Sequence, residues 1–317
     1  MPRDTRKAKS ASAPPSSGDL FADLAEDDLA PGASGTSIPD ATEAVASETR
    51  FELHLGDCVS GMATLAEHSV DIVVTSPPYN LGIDYGTYRD QLSVTDYLAW
   101  SRDWAAGVQR VLREDGSFFL NIGSSHANPL LPHQVILELA DLFEVQNTIH
   151  WIKSITVEDS DGEEISAGHF KPINSKRYVN DCHEYVFHLT HTGQVPLDRR
   201  GVGVAYADKS NITRWKHTGG HDKRCRGNAW FVPYKTIMSR DKDRPHPATF
   251  PVQLADYCLR LHGSDPAMTT VLDPFVGIGH SAEAAARLDI GRFIGFDIDE
   301  SYLATACERL GAEMLRD

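Results

Sequence analysis

The feature that most constrains this chain is a short apolar run, Asp71-Ile72-Val73-Val74-Thr75, that stops at two consecutive prolines, Pro77 and Pro78. A run without polar alternation marks a strand buried on both faces, as in parallel sheets. Neither proline has an N–H for a sheet ladder, so the chain must leave the sheet there along a fixed path. Ser76 and Tyr79 are thereby held at the carboxyl end of a buried strand. Similar units recur along the chain. Residues 51–55 alternate like a strand and end at Gly56-Asp57, residues 94–112 read as an amphipathic helix, and Glu114-Asp115-Gly116 predicts a turn before a strand over 117–122. Residues 269–272 and 292–296 read as strands, each followed by a helical pattern, and residues 184–189 as one more strand. Alternating β and α elements predict an α/β fold with a doubly wound, Rossmann-like sheet, whose ligands sit beyond the strands' carboxyl ends.

A chain of 317 residues, 41% hydrophobic and 24% charged, can bury such a core. The exception is residues 1–49, which hold 10 Ala, 7 Ser, 5 Pro and 3 Gly and read as a disordered tail. Within it, residues 19–29 could form a short acidic amphipathic helix, although a solvated tail is the favoured reading. No apolar run reaches membrane-spanning length, and residues 1–17 contain no signal-like stretch, so neither a membrane nor secretion is expected. The five cysteines lack CxxC spacing, which points to a reduced, cytoplasmic protein.

The net charge of −15 argues, taken globally, against a nonspecific nucleic-acid coat. Residues 198–244 reverse that balance, with 12 Lys and Arg against 5 Asp and Glu, and they include Trp215, Trp230, Phe231, Tyr234, His217 and His221. A basic, aromatic segment in an acidic chain suits a DNA-contacting surface, and an ordinary solvated loop region is the alternative. Arg199, Arg200, Lys223, Arg224 and Arg226 are the candidate contacts, arginine for guanine edges and lysine for phosphate. His217, His221 and Cys225 are spaced like zinc ligands but have no obvious fourth partner, and no metal is expected. Cys182, His183 and His188 read as structural.

Two motifs carry chemistry. Asp273-Pro274-Phe275-Val276-Gly277-Ile278-Gly279 follows a predicted strand, and its glycines let the backbone approach a ligand at a helix N-terminus. Asp297 lies twenty residues beyond Gly277 at the end of the next strand, where an acid can hold ribose hydroxyls. On its own this pattern also fits a nicotinamide dehydrogenase or a tight structural turn. Thr75-Ser76-Pro77-Pro78-Tyr79-Asn80 separates these readings. It places the Ser76 hydroxyl and the Pro77 carbonyl together as two acceptors beside the flat Tyr79 ring. That arrangement suits an exocyclic amino group on a planar base.

Here the sequence resembles the amino-group DNA methyltransferases, which use S-adenosylmethionine (AdoMet). Ser76-Pro77-Pro78-Tyr79 is similar to their catalytic tetrapeptide and Asp273-Pro-Phe-x-Gly-x-Gly to their AdoMet loop. The catalytic motif comes first and the basic segment lies between, as in the permuted members. The likeness covers roughly residues 50–312. It implies a catalytic half over 50–197, a target-recognition region over 198–244 and an AdoMet-binding half over 245–317. It further implies that Phe275, Gly277 and Gly279 line the methionine part of AdoMet, with Asp273 near its amino group and Asp297 on the ribose. Asp57 would accept from the adenine amino group, and Thr249 and Phe250 would open the helix that closes the pocket. Asp57 and Asp297 also read as helix caps or turn residues.

The activity implied is AdoMet-dependent, site-specific methylation of duplex DNA by base flipping and direct displacement, with Tyr79 stacking on the flipped base. Serine at the head of the tetrapeptide, and Phe250-Pro251 within His246-Pro247-Ala248-Thr249-Phe250-Pro251, point to cytosine N4. Adenine N6 is the alternative, and a catalytically silent DNA-binding protein of the same fold is a second. No cysteine follows a proline, which excludes a C5-cytosine nucleophile. A restriction endonuclease would be related only through a shared recognition site.

Overall fold

The computed structural model describes residues 49–82, 87–88, 90–158, 162–168, 175–233 and 249–316, without the His217 side chain. The acidic segment 19–29, Tyr234 and residues 246–248 lie outside the described residues. The described residues divide into two units, one holding residues 156–158 with 162–165, the other the remaining described residues. The first unit contributes residues 156–158 of strand β5 (Ser154–Glu158) and residues 164–165 of strand β6 (Glu164–Gly168), which pair as a two-stranded ribbon.

The second unit contains a nine-stranded sheet. Its strands are β1 (Arg50–Leu55), β2 (Val70–Thr75), β3 (Leu112–Ile122), β4 (Glu144–Ile152), β7 (His183–Thr190), β8 (Ala229–Phe231), β9 (Thr270–Asp273), β10 (Arg292–Asp297) and β11 (Met314–Arg316). They run in the order β11-β1-β10-β9-β2-β3-β7-β4-β8. Only β7 is antiparallel to its neighbours. The helices are α1 (Cys58–Thr64), α2 (Val94–Val111), α3 (Leu131–Glu138), α4 (Ser210–Arg214), α5 (Val252–His262), α6 (His280–Arg287) and α7 (Glu300–Leu310).

Period-two alternation sends consecutive strand residues to opposite faces, so each central strand feeds two cores. Ile72, Val74 and Phe119 join one apolar cluster, which contains side chains of α5, α6 and α7. Val73, Phe118, Leu120, Leu272 and Ile294 join the other, where α2 contributes Tyr97, Trp104, Ala105, Val108 and Val111. This two-sided burial is why β2 reads as a continuous apolar run. Ser93 begins α2 by accepting from the Asp96 N–H at 3.1 Å, which satisfies one orphan donor of the first turn.

The turn expected at 114–116 does not form. β3 already begins at Leu112, opposite Val70, and its next partnered residue is Ser117, opposite Ile72. Residues 113–116 are therefore an irregularity within one strand, because Leu112 and Ser117 both find partners on β2. The basic segment also contributes a strand: β8 pairs in parallel with β4 at the sheet's edge, and Trp230 is buried.

Sheet order brings the two motifs together. β2 and β9, far apart in sequence, are adjacent and parallel, so the loops after Thr75 and Asp273 leave the sheet side by side.

Candidate active site

A cleft opens beyond the carboxyl ends of β2, β3, β9 and β10, enclosing about 1220 Å³, part of it open to solvent. Ser76, Pro77, Pro78 and Tyr79 line one part; Phe275, Gly277 and Asp297 line another, with Asp57, Thr249 and Phe250 also on the wall. Asp273 and Gly279 are absent from the lining.

Asp273 is 1% exposed and fully engaged. Its Oδ1 accepts from Thr75 Oγ1 at 2.6 Å and from the Phe275 N–H at 3.0 Å, and its Oδ2 accepts from Ser281 Oγ at 2.5 Å. The carboxylate therefore rivets β2, the glycine loop and α6 together. Burial pushes its pKa up to about 6, against the lowering pull of those three donors. Asp273 therefore stands behind the cleft wall, with its carboxylate oxygens turned to Thr75, Phe275 and Ser281. Gly279, at φ +85°, starts α6 where a Cβ would come within 2.9 Å of Ala306 Cβ, so it allows α6 to approach α7.

Gly277 adopts φ +50°, and its N–H donates to Asp297 Oδ2 at 2.9 Å. Asp297 Oδ1 accepts from the Asp299 N–H at 2.8 Å. Burial raises the Asp297 pKa to about 6. Asp57 caps α1, its Oδ1 accepting from the Val59 and Ser60 N–H groups at 3.1 and 3.0 Å, while the same side chain borders the cleft. The helix-cap reading of Asp57 thus describes its contacts, and its other oxygen takes no part in the cap. Phe250, 8% exposed, accepts from His280 Nδ1 at 2.6 Å through its carbonyl. Burial holds His280 neutral, with its pKa pushed down to about 4.

The catalytic tetrapeptide is fixed from several sides. Tyr97 donates to the Pro78 carbonyl at 2.7 Å. Asn80, in the left-handed region at φ +57°, exchanges hydrogen bonds with Leu92, and buried Asp90 accepts from the Asn80 and Leu81 N–H groups. These contacts hold both ends of the loop from 80 to 92, where Thr87 donates to Asp299 at 3.1 Å.

Three participants were not legible as site residues. Ser76 Oγ lies 2.6 Å from the Tyr79 hydroxyl, and Tyr79 donates to Glu184 Oε2 at 3.0 Å. Asn121 Nδ2 donates to Tyr79 at 2.5 Å and to Glu184 at 2.9 Å, and Lys153 pairs with Glu184 Oε1 at 3.1 Å. Tyr79 thus binds its neighbours through its hydroxyl as well as offering a ring. An asparagine in the largely apolar second half of β3, and a glutamate next to the first residue of β7, were the available signals.

Among the described lining residues the charged groups are Asp57, Glu184, Asp297 and Asp299, with no Lys or Arg. A dinucleotide pyrophosphate would meet only repulsion there, whereas a cationic, ribose-bearing ligand would find acceptors and aromatic walls such as Trp100 and Phe275. The cleft therefore fits AdoMet and disfavours a nicotinamide dinucleotide. The family model for DNA methylases matches residues 70–308, about three quarters of the chain.

This chain is a member of the DNA methylase family. It is an AdoMet-dependent methyltransferase of the N6/N4 amino group, acting on DNA. The Type II methyltransferase M.HpaI of Haemophilus parainfluenzae is 26% identical over 257 residues, covering 81% of this chain and 73% of that relative. M.ScaI of Streptomyces caespitosus is 27% identical over 271 residues, covering 82% and 81%. Among solved structures, the cytosine-N4-specific PvuII DNA methyltransferase superposes with a TM-score of 0.61 at 19% identity, covering 86% of this chain and 96% of that one. A DNA modification methylase from Thermus thermophilus, complexed with AdoMet, gives 0.56 at 23% identity over 84% and 98%. At these identities the structures share the fold.

The five proposed DNA contacts differ in their surroundings. Arg199, Arg200, Lys223 and Arg224 are exposed, and Arg200 and Lys223 border a shallow depression with His221. Arg226 is half-buried: its Nε donates to the Val202 carbonyl at 2.9 Å and its guanidinium lies 4.5 Å from the centre of the Tyr257 ring. Its fork already packs this segment against α5. Among the described residues no group of three or more His, Cys, Asp and Glu side chains is placed to hold a metal.

Proposed function

We propose that this methylase transfers the AdoMet methyl group to the N4 amino group of cytosine in duplex DNA. The observation that carries amino-group transfer is the state of Ser76, and serine at the head of the tetrapeptide is what favours cytosine within that reading. The single Tyr79 proton is given to Glu184, a carboxylate that only accepts, so the 2.6 Å contact must be Ser76 donating to Tyr79. The serine proton therefore points away from the amine, and of its two lone pairs one accepts from Asn121 Nδ2 at 3.3 Å while the other is left for the cleft. Beside it the Pro77 carbonyl takes no hydrogen bond among the described residues.

Two neutral acceptors match the two protons of an amino group. A base amine is a poor nucleophile because its lone pair is delocalised into the ring. Hydrogen bonds to Ser76 and Pro77 favour pyramidal nitrogen and localise that pair. AdoMet supplies an electrophilic methyl on a sulfonium. The remaining barrier falls through positioning.

For the donor, Asp297 is the proposed ribose acceptor, Asp57 the adenine acceptor through the oxygen outside its cap, and Gly277 the point of close backbone approach. Thr249, Phe250 and Phe275 supply the pocket wall. Arg199, Arg200, Lys223 and Arg224 are proposed to meet DNA, with a recognition site shared with an endonuclease, as expected of a Type II system.

The test is digestion of duplex DNA methylated in vitro with labelled AdoMet, followed by nucleoside separation. Label in N4-methylcytosine is expected; label in N6-methyladenine would overturn the cytosine assignment.

A further inference from the structure

We propose that Glu184 is the terminal acceptor of the proton released by the target amine, reached through Ser76 and Tyr79. The inference rests on the methylation reading above. When the amine nitrogen gains a methyl group it becomes cationic, and one N–H bond must break to restore a neutral base.

The structure holds a hydrogen-bonded path for that proton, oriented one way. Ser76 donates to Tyr79 at 2.6 Å, and Tyr79 donates to Glu184 Oε2 at 3.0 Å. Asn121 clamps the last link, its Nδ2 donating to the Tyr79 hydroxyl and to the same Glu184 oxygen. The amine proton moves to Ser76 Oγ, the serine proton to the Tyr79 oxygen, and the tyrosine proton to Glu184 Oε2. Each hydroxyl ends with one proton, as it began, and only the carboxylate changes charge. The positive charge brought by the sulfonium donor and the negative charge of Glu184 disappear together. Charge is thereby neutralised within the cleft rather than separated across it.

The other cleft carboxylates are committed elsewhere. Asp57 caps α1, Asp299 caps α7, and Asp297 holds the Gly277 and Asp299 N–H groups. Glu184 is the one that the described hydrogen bonds connect to Ser76. Lys153 pairs with its Oε1 at 3.1 Å, which leaves Oε2 for the proton. Packing also protects the path: a Cβ on Gly123 would come within 3.1 Å of both Tyr79 Cε2 and Glu184 Cγ.

The test compares wild type, Glu184→Gln, Tyr79→Phe and the double variant. Tyr79→Phe keeps the ring and removes only the proton link. Single-turnover methyl transfer should fall roughly 10- to 100-fold in each single variant, with the double variant no slower than the worse single one. Melting and AdoMet titration establish that the variants are folded. A second readout is infrared spectroscopy of protein labelled with 13C in its glutamate carboxyls. In the ligand-free protein the Glu184 carboxylate band, assigned by its loss in Glu184→Gln, should shift in Tyr79→Phe. During one wild-type turnover a protonated carboxyl band should appear that Glu184→Gln lacks. Wild-type rates in either single variant, multiplicative losses in the double, or no carboxyl band in a wild type that methylates would each overturn the relay. A wild type that methylates nothing would instead overturn the underlying reading, and the relay with it.

Discussion

Replacing Asp273 separates a structural carboxylate from a ligand-binding one. Asp273→Ala strips acceptors from Thr75 Oγ1, Ser281 Oγ and the Phe275 N–H, all in a buried setting. At about 1 kcal/mol per lost bond, the expected destabilisation is about 3 kcal/mol. Asp273→Asn keeps the shape and removes the buried charge. The wild-type pKa rises from 3.8 in the unfolded reference to about 6 in the fold. A carboxyl whose folded pKa is raised stabilises the protein while protonated, below about pH 4, and that contribution is lost as pH climbs through 6. Two pKa units correspond to about 3 kcal/mol. The stability of Asp273→Asn minus that of wild type should therefore grow by about 3 kcal/mol between pH 4 and 7, measured by urea denaturation at each pH. Subtraction removes the opposing histidine contributions common to both proteins. AdoMet affinity, by titration calorimetry, should stay within about threefold, whereas a lost charged hydrogen bond would cost about tenfold or more. Unchanged stability with a tenfold loss of AdoMet affinity would refute the reasoning and restore Asp273 to the ligand.

Other expectations follow from the same geometry. Asp297→Ala removes the acceptor that shapes Gly277 and should weaken AdoMet binding by roughly tenfold or more; an unchanged titration would remove it from the site. His188 is fully buried between Ser117 and Asn147, with its pKa pushed down to about 4 by burial. A histidine held neutral stabilises the fold above its unfolded pKa of 6.5, and that stability, about 3 kcal/mol, is lost as pH falls toward 4. A His188→Gln variant should therefore lose less stability than wild type over that interval in urea titrations; identical slopes would contradict the assignment. Trp104, fully buried under the aromatic wall of the cleft, should cost about 3–5 kcal/mol as alanine, measured by denaturation.

The sheet was legible wherever burial leaves a local pattern. β2, the second half of β3, β7, β9, β10 and α2 are found by periodicity because each presents a regular face, or two, to a core. β4 and β8 were missed: β4 is only partly buried, and β8 has three residues at an edge. The bulge at residues 113–116 was read as a turn because Asp-Gly chemistry favours turns locally, while pairing on both sides is a tertiary fact. At the site, Ser76 and Tyr79 were visible because prolines and a strand end fix them in sequence. Glu184 was not, since it reaches Tyr79 across 105 residues of chain. Asp273 is legible as part of its motif, but its donors Thr75 and Ser281 come from two other elements, and no spacing rule encodes that convergence.

The central claim is that Ser76 offers a lone pair to the attacking amine. The measurement that tests it most directly is single-turnover methyl transfer by Ser76→Ala on duplex DNA, with AdoMet affinity measured on the same preparation. The account predicts a rate lower by roughly one to two orders of magnitude and AdoMet binding near that of wild type. A variant that transfers methyl as fast as wild type would contradict it.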